Sequence, residues 1–184
     1  MLEYKEIVGT LAILTGFVAV WIYIRSMMHG ETKPHIFTRI IWGVLQSVAF
    51  FAALSTGGGY GAWTIGIGAL LSFIIAALAL KNGTKYITPS DWLSLGGAAI
   101  GIILWIVTKN PLGAVLLVTL VDVIGYIPTL RKAYGKPFEE NPLTFTIGAT
   151  SIALSIVALD SYSLTTWLYP ATIVGMNGLL VALI

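Results

Sequence analysis

Long apolar stretches recur along the whole chain and are separated by short polar segments. Each stretch approaches the roughly 20 residues with which an α-helix crosses the ~30 Å hydrocarbon core of a bilayer. The pattern predicts seven membrane helices, at about residues 6–25, 36–54, 62–80, 91–108, 111–130, 142–159 and 164–184. Pro89-Ser90-Asp91, Pro111 and Pro142 are typical helix-start signals for the fourth, fifth and sixth helices. The chain is therefore predicted to be an all-α integral membrane protein.

Composition supports this interpretation. The 184 residues are 57% hydrophobic and only 10% charged, whereas soluble domains contain about 25% charged residues. The absence of cysteine excludes a disulfide scaffold and thiolate metal sites. A net charge of +2 is too small to suggest a nucleic-acid partner.

Basic residues are distributed unevenly between the two sets of predicted loops. The N-terminal segment and the loops after helices 2, 4 and 6 contain only Lys5 and Lys109. The opposite side contains eight basic residues: Arg25, Lys33, Arg39, Lys81, Lys85, Arg131, Lys132 and Lys136. Cytoplasmic loops carry an excess of Lys and Arg. We therefore expect a multi-pass protein of the cell (inner) membrane with its N-terminus outside and its C-terminus in the cytoplasm.

The two halves of the chain resemble each other when the sequence is aligned with itself at one fixed shift. Tyr23-Ile24 aligns with Tyr126-Ile127, Ser26 with Thr129, and Lys33-Pro34 with Lys136-Pro137. The same offset lays helices 1–3 on helices 5–7 and leaves helix 4 unmatched. A unit of three membrane helices ends on the side of the membrane opposite its start. One linking helix returns the chain to the first side, so that a second three-helix unit has the same orientation as the first. The pattern predicts a 3+1+3 arrangement of two parallel three-helix bundles, at residues 1–81 and 110–184, joined by linker helix 4 within 82–109.

This plan resembles the SWEET and PQ-loop transporter superfamily, and the chain looks like a divergent bacterial or archaeal member with degenerate motifs. The family's signature is a proline–glutamine pair near the inner end of a repeat's first helix, followed by a basic loop. The second repeat keeps the proline in Tyr126-Ile127-Pro128-Thr129, ahead of Leu130-Arg131-Lys132. The first repeat reads Tyr23-Ile24-Arg25-Ser26, and neither repeat has the glutamine. Asn177 matches the family's pocket asparagine, whereas Ile74 occupies the corresponding position in helix 3.

Asp122 is the acidic residue that falls well inside a predicted membrane helix. A charge at mid-bilayer costs at least about 2.5–3.5 kcal/mol on insertion scales, so this residue must face the bundle interior or stay protonated. Helical spacing places Thr119, Asp122, Tyr126 and Thr129 on one face. We expect this stripe to line a permeation path and to bind a proton, a cation or a polar group of a solute. The alternative is a buried acid that bonds to a neighbouring helix and holds the fold.

Four further residues are candidates for the same path. Pro128 and Gly125 predict a hinge at the inner gate, or alternatively a static kink. Asn177 and Gln46 are deep amides that could bind the solute or bond across helices. The glycines at 57–61 are interpreted as a flexible outer turn.

The sequence thus favours a small-solute transporter with a polar cavity between two bundles, either facilitated or proton-coupled. The alternative is a non-transporting heptahelical receptor or membrane assembly subunit, with residues 131–140 as its docking surface. No catalytic motif appears, so we expect no enzyme activity, no cofactor and no metal site. The expected partners are the lipid bilayer and a small polar solute. A monomer is sufficient, and a homo-oligomer is compatible with the pattern.

Overall fold

The computed structural model describes residues 2–32, 34–82, 87, 89–135 and 142–184. Helices cover all seven predicted apolar stretches: α1 (Leu2–Met28), α2 (Ile36–Ser55), α3 (Gly59–Asn82), α4 (Pro89–Thr108), α5 (Pro111–Gly135), α6 (Pro142–Val157) and α7 (Leu164–Leu183). The largest difference at a single helix end is in α5, which continues through Pro128 to Gly135 instead of ending at 130. A proline removes one helical hydrogen bond, and a membrane helix tolerates that loss.

Four of these helices are long and apolar enough to cross a membrane: Tyr4–Met28, Ile36–Ser55, Gly59–Leu80 and Leu164–Leu183. The other three apolar segments are shorter over the described residues: Trp92–Thr108, Pro111–Ile127 and Pro142–Val157. The four long helices indicate a membrane protein.

The helices pack through small side chains. The main buried cluster joins α2, α3, α4, α5 and α7, and its alanines are Ala49, Ala52, Ala53, Ala62, Ala98 and Ala114. Lipid tails are as apolar as leucine, so helix association in a bilayer depends on close van der Waals packing rather than on burial from water. Alanine at these positions lets neighbouring backbones approach each other.

Helix α2 lies at the centre of the bundle and packs on α3, α4, α5 and α7. Helix α1 packs on α3 and α6, while α7 packs on α5 and α6. Helices α3 and α6 also touch, and α4 packs on α5 and α2. The ends of the bundle are named here by one residue each. The Lys5 end contains the start of α1 and the 2–3 and 6–7 loops; the Arg39 end contains the start of α2 and the cluster of Met27, Ile36 and Ala79.

The Lys5 end is closed by backbone contacts. The ammonium of Lys5 donates to the carbonyls of Leu159 at 2.7 Å and Asp160 at 3.2 Å. The N–H of Gly61 donates to the carbonyl of Ala158 at 3.1 Å, and the N–H of Asp160 donates to the carbonyl of Gly58 at 3.4 Å. The expectation of a flexible glycine turn at 57–61 is thus wrong for its buried members, Gly58 and Gly61, because these glycines let two backbones touch.

We expect Gly61→Ala to destabilise the protein by about 1–3 kcal/mol, the usual range for overpacking. A Cβ at this position would meet the carbonyl oxygen of Ser155 and lie 2.8 Å from the backbone nitrogen of Leu159, and neither atom can move aside like a flexible side chain. Thermal unfolding in detergent measures the effect. The matched control is Gly175→Ala, since a Cβ there meets nothing within 4 Å. Equal melting temperatures for the two variants would contradict the close contact.

Candidate functional site

A central cavity of about 180 Å³ lies between the helices. Its walls come from α1, α2, α3, α5, α6 and α7. This volume equals that of about six water molecules in the liquid, at roughly 30 Å³ each. The cavity therefore has room for a small solute.

The cavity has an apolar wall and a polar wall. The apolar wall comes mainly from α1 and α3 and contains Ile13, Val20, Ile67, Leu71 and Ile75. The polar wall comes from α2, α5 and α7 and contains Arg39, Gln46, Asp122, Tyr126 and Asn177. A mostly apolar pocket with a few convergent polar groups is the usual form of a small-molecule site.

Asp122 is the buried charge of this wall, with 4% of its surface exposed. Its Oδ1 atom has no hydrogen-bond partner among the residues that the structure describes. The ion pair found among the described residues is Lys5–Asp160, at 3.8 Å and at the Lys5 end of the bundle, so no described cation neutralises Asp122. A buried carboxylate without a partner is costly. Asp122 is thus oriented towards the cavity with binding capacity left over.

Tyr126 lies one helical turn after Asp122 on α5 and joins three helices. Its hydroxyl donates to Oδ1 of Asn177 on α7 at 3.0 Å. Its ring stacks on Trp42 of α2, with ring centroids 5.9 Å apart and planes inclined by 27°. The bond leaves the amide N–H groups of Asn177 available as donors. The contacts fix the tyrosine and the asparagine in one orientation on the polar wall.

We expect Tyr126→Phe to lower the free energy of unfolding by about 1 kcal/mol, since the variant keeps the stacked ring but loses one buried hydrogen bond. Chemical or thermal unfolding in detergent measures this loss. Tyr126→Phe combined with Asn177→Leu should cost less than the two single changes added together. If the losses in free energy of unfolding are additive, the Tyr126 hydroxyl and the Asn177 amide do not depend on each other.

Arg39 lies at the other end of the polar wall and is held by aromatic rings. The guanidinium carbon lies 4.1 Å from the ring centroid of Tyr23 on α1 and 5.0 Å from that of Trp42. Such cation–π contacts stabilise a charge that is partly removed from water. Arg39 is half-buried and lines the cavity. A fixed positive charge therefore lies near the cavity at its Arg39 end.

The structure brings together four of the sequence-predicted residues and places two elsewhere. Asp122, Tyr126, Asn177 and Gln46 all line the cavity. Thr119 is buried on α5 but is not part of the cavity wall, and Gly125 faces Ser94 of α4 instead. Pro128 lies within α5, but its side chain is outside the described residues, as is the segment 136–140 of the predicted docking surface.

Sequence reasoning missed several residues of the cavity wall, among them Arg39, Trp42, Thr64 and Ser72. From the sequence alone, Arg39 counts only among the basic residues of one side, and Trp42 is of a type common at membrane interfaces. A signal was present, because Arg39, Trp42 and Gln46 are spaced i, i+3 and i+7 on α2 and share one helix face. Thr64 and Ser72 are two turns apart on α3 and share a face in the same way.

Comparison of the chain with protein-family models, with curated proteins and with solved structures gave no significant match. The geometry of the cavity is therefore the basis for the functional assignment.

Proposed function

We propose that the protein is a small-solute membrane transporter in which two three-helix bundles move against each other around the central cavity. The observation that carries the proposal is the buried carboxylate of Asp122, which lines the cavity without a described partner for Oδ1. Ionisable groups inside membrane proteins usually face a cavity and mark the path of a substrate or an ion.

The pattern of helix contacts supports two equivalent bundles. Exchanging α1 with α5, α2 with α6 and α3 with α7 turns the contact α1–α3 into α5–α7, and α2–α3 into α6–α7. It likewise turns α1–α6 into α5–α2, and α3–α6 into α7–α2. Helix α4, which packs on α5 and α2, has no counterpart. This symmetry favours the 3+1+3 arrangement, with the bundles in residues 1–81 and 110–184, and with it the resemblance to SWEET and PQ-loop transporters.

In the proposed orientation the Lys5 end faces the outside and the Arg39 end faces the cytoplasm. The support is the excess of basic residues near the Arg39 end. The C-terminus then lies in the cytoplasm, and the protein is a multi-pass component of the cell membrane.

The proposed resting state is closed to the outside. Backbone contacts between the 2–3 loop and residues 158–160 seal the Lys5 end, and Lys5 adds hydrogen bonds across the seal. The half-buried Arg39 is assigned to the cytoplasmic mouth. In the transport cycle the bundles rock so that the Lys5 end opens while the Arg39 end closes. Gly125 and Pro128 on α5 are the proposed hinge, because proline removes a helical hydrogen bond at Ile124.

The proposed binding roles follow from the polar wall. Asp122 accepts a hydrogen bond or a positive group from the solute, while Asn177 and Gln46 donate and accept through their amides. Tyr126 holds Asn177 in place through its 3.0 Å bond. The apolar residues of α1 and α3 cover the opposite side of the solute.

A ligand screen tests the proposed function. Purified protein in detergent is heated with a panel of sugars, amino acids, vitamins and nucleosides, because a ligand that binds the folded state raises the melting temperature. The proposal predicts that at least one class stabilises the protein and is then taken up by proteoliposomes. Stabilisation without uptake, or no response to any class, would favour a receptor or an assembly subunit.

A further inference from the structure

Four buried side-chain oxygens have no hydrogen-bond partner among the described residues: Oγ1 of Thr64, Oγ1 of Thr119, Oδ1 of Asp122 and the hydroxyl of Tyr169. Each of these residues has more than nine tenths of its surface buried, and Tyr169 is only 1% exposed. Buried polar atoms in folded proteins are almost always paired, so an unpaired group calls for a ligand or another explanation. All four atoms are oxygens, and no buried side-chain nitrogen of the described residues joins them.

Three of these oxygens share one neighbourhood. Thr119 and Asp122 are three residues apart on α5 and lie on the same helix face. The hydroxyl of Tyr169 on α7 lies within reach of the Asp122 carboxylate, although the two groups do not form a hydrogen bond of good geometry. Thr64 on α3 and Asp122 line the same cavity. The oxygens therefore come from α5 and α7, which pack on each other, and from α3 on the same cavity.

Helix α7 also has a backbone oxygen that a proline leaves without its regular helical donor. Pro170 lies inside the helix and has no N–H, so the carbonyl of Thr166 loses the donor that a regular helix would give it. Thr166 is fully buried and lies three residues before Tyr169, on the same face of α7. Backbone carbonyls freed in interrupted membrane helices are suitable ligands for alkali cations.

The charge of this oxygen set identifies the ligand. It contains one carboxylate, and no group of three His, Cys, Asp or Glu side chains lies together in the described part of the chain. A divalent ion would leave a net positive charge buried, whereas a monovalent ion balances one carboxylate. Hydroxyl, carbonyl and carboxylate oxygens suit hard cations. Tyr169, Asp122 and Thr119 are at most 7% exposed, which favours sodium, the smaller of the two common alkali cations.

We propose that Asp122, Thr119 and Tyr169, with the Thr166 carbonyl, form a sodium site beside the solute cavity, and that Thr64 faces it from α3. The coupling of sodium to solute transport rests on the proposed transport function. The binding of sodium itself does not. Because Asp122 belongs to both the cavity wall and this site, sodium bound there would change the charge that the solute meets. Sodium and solute binding would thus be linked.

Melting temperatures of the full-length protein test this site in sodium, potassium and choline chloride at equal ionic strength. Sodium at about ten times its dissociation constant should raise the folded-to-unfolded ratio roughly 11-fold. Binding of radiolabelled sodium to the detergent-solubilised protein provides a second readout. Thr119→Val, Tyr169→Phe and Asp122→Asn should each abolish the sodium response. Tyr162→Phe is the matched control, because it removes an exposed hydroxyl that donates to Val157, and it should keep the response.

Three results would overturn the site. Equal melting temperatures in the three salts would show that only ionic strength matters. A loss of stability in Tyr169→Phe that is the same in sodium and choline would show that the hydroxyl serves the carboxylate directly. Stabilisation by acid without any sodium response would assign the carboxylate to a proton. If the solute binds in choline chloride and no sodium response is seen, the transport proposal stands and this site does not. If sodium raises the melting temperature but no solute binds and no uptake occurs, the sodium site stands and the transport proposal does not.

Discussion

Asp122→Asn is expected to weaken solute binding by about 10- to 100-fold and to abolish uptake, while the protein still folds. The carboxylate is the buried charge of the polar wall, and a hydrogen bond to a charged group contributes about 1.5–3 kcal/mol. The amide has the same shape and removes a buried charge, so it does not add a desolvation cost. Ligand-dependent melting and uptake by proteoliposomes measure the effect.

The control for this variant is Glu6→Gln, which makes the same chemical change at an exposed position on α1. It should bind the solute as the native protein does. Comparison with Thr119→Val and Tyr169→Phe separates the two roles of Asp122, because these variants remove proposed sodium ligands outside the cavity wall. Unchanged solute affinity in Asp122→Asn would show that the carboxylate does not bind the solute.

A disulfide between Gly16→Cys and Ser151→Cys is expected to stop uptake almost completely, and a reductant should restore it. A Cβ at Gly16 would lie 3.9 Å from the Cβ of Ser151, within the range that a disulfide requires. The chain has no other cysteine. The bond would join α1 to α6, and therefore one proposed bundle to the other, so the rocking motion could not occur.

A second cross-link is the matched control. A Cβ at Gly97 would lie 3.5 Å from the Cβ of Val121, so Gly97→Cys with Val121→Cys would join linker helix α4 to α5. This disulfide does not connect the two bundles, and uptake should continue after oxidation. Full uptake by oxidised protein with a verified α1–α6 disulfide would contradict movement of the bundles against each other.

The positions of the helices could be predicted from the sequence because the bilayer imposes a length and an apolar composition on each of them. Asp122 could be found for the same reason, since an acid stands out in an apolar stretch. Gly58 and Gly61 could not be assigned, because a glycine run looks the same in a flexible turn and in a close backbone contact. The close contact is seen only in the structure: Gly61 lies against Ser155 and Leu159, and the carbonyl of Gly58 accepts a hydrogen bond from Asp160.

The polar wall was only partly predictable for a related reason. Arg39 and Trp42 have residue types that are common at membrane interfaces, so each one alone suggests an anchor. Their role depends on α5 and α7, which bring Tyr126 and Asn177 to the same cavity. Tyr169 likewise gains its importance from Asp122, 47 positions earlier in the sequence. Such long-range pairs leave no local pattern in the sequence.

Labelling of a single cysteine at Ser72 tests the central claim most directly. Ser72 is buried but lines the cavity, and no native cysteine competes for the reagent. If the cavity opens at the Arg39 end in the resting state, a membrane-impermeant maleimide should modify Ser72→Cys in inside-out vesicles but not in right-side-out vesicles. Labelling from neither side, together with full labelling after denaturation, would mean a closed interior and would contradict a transport path between two bundles.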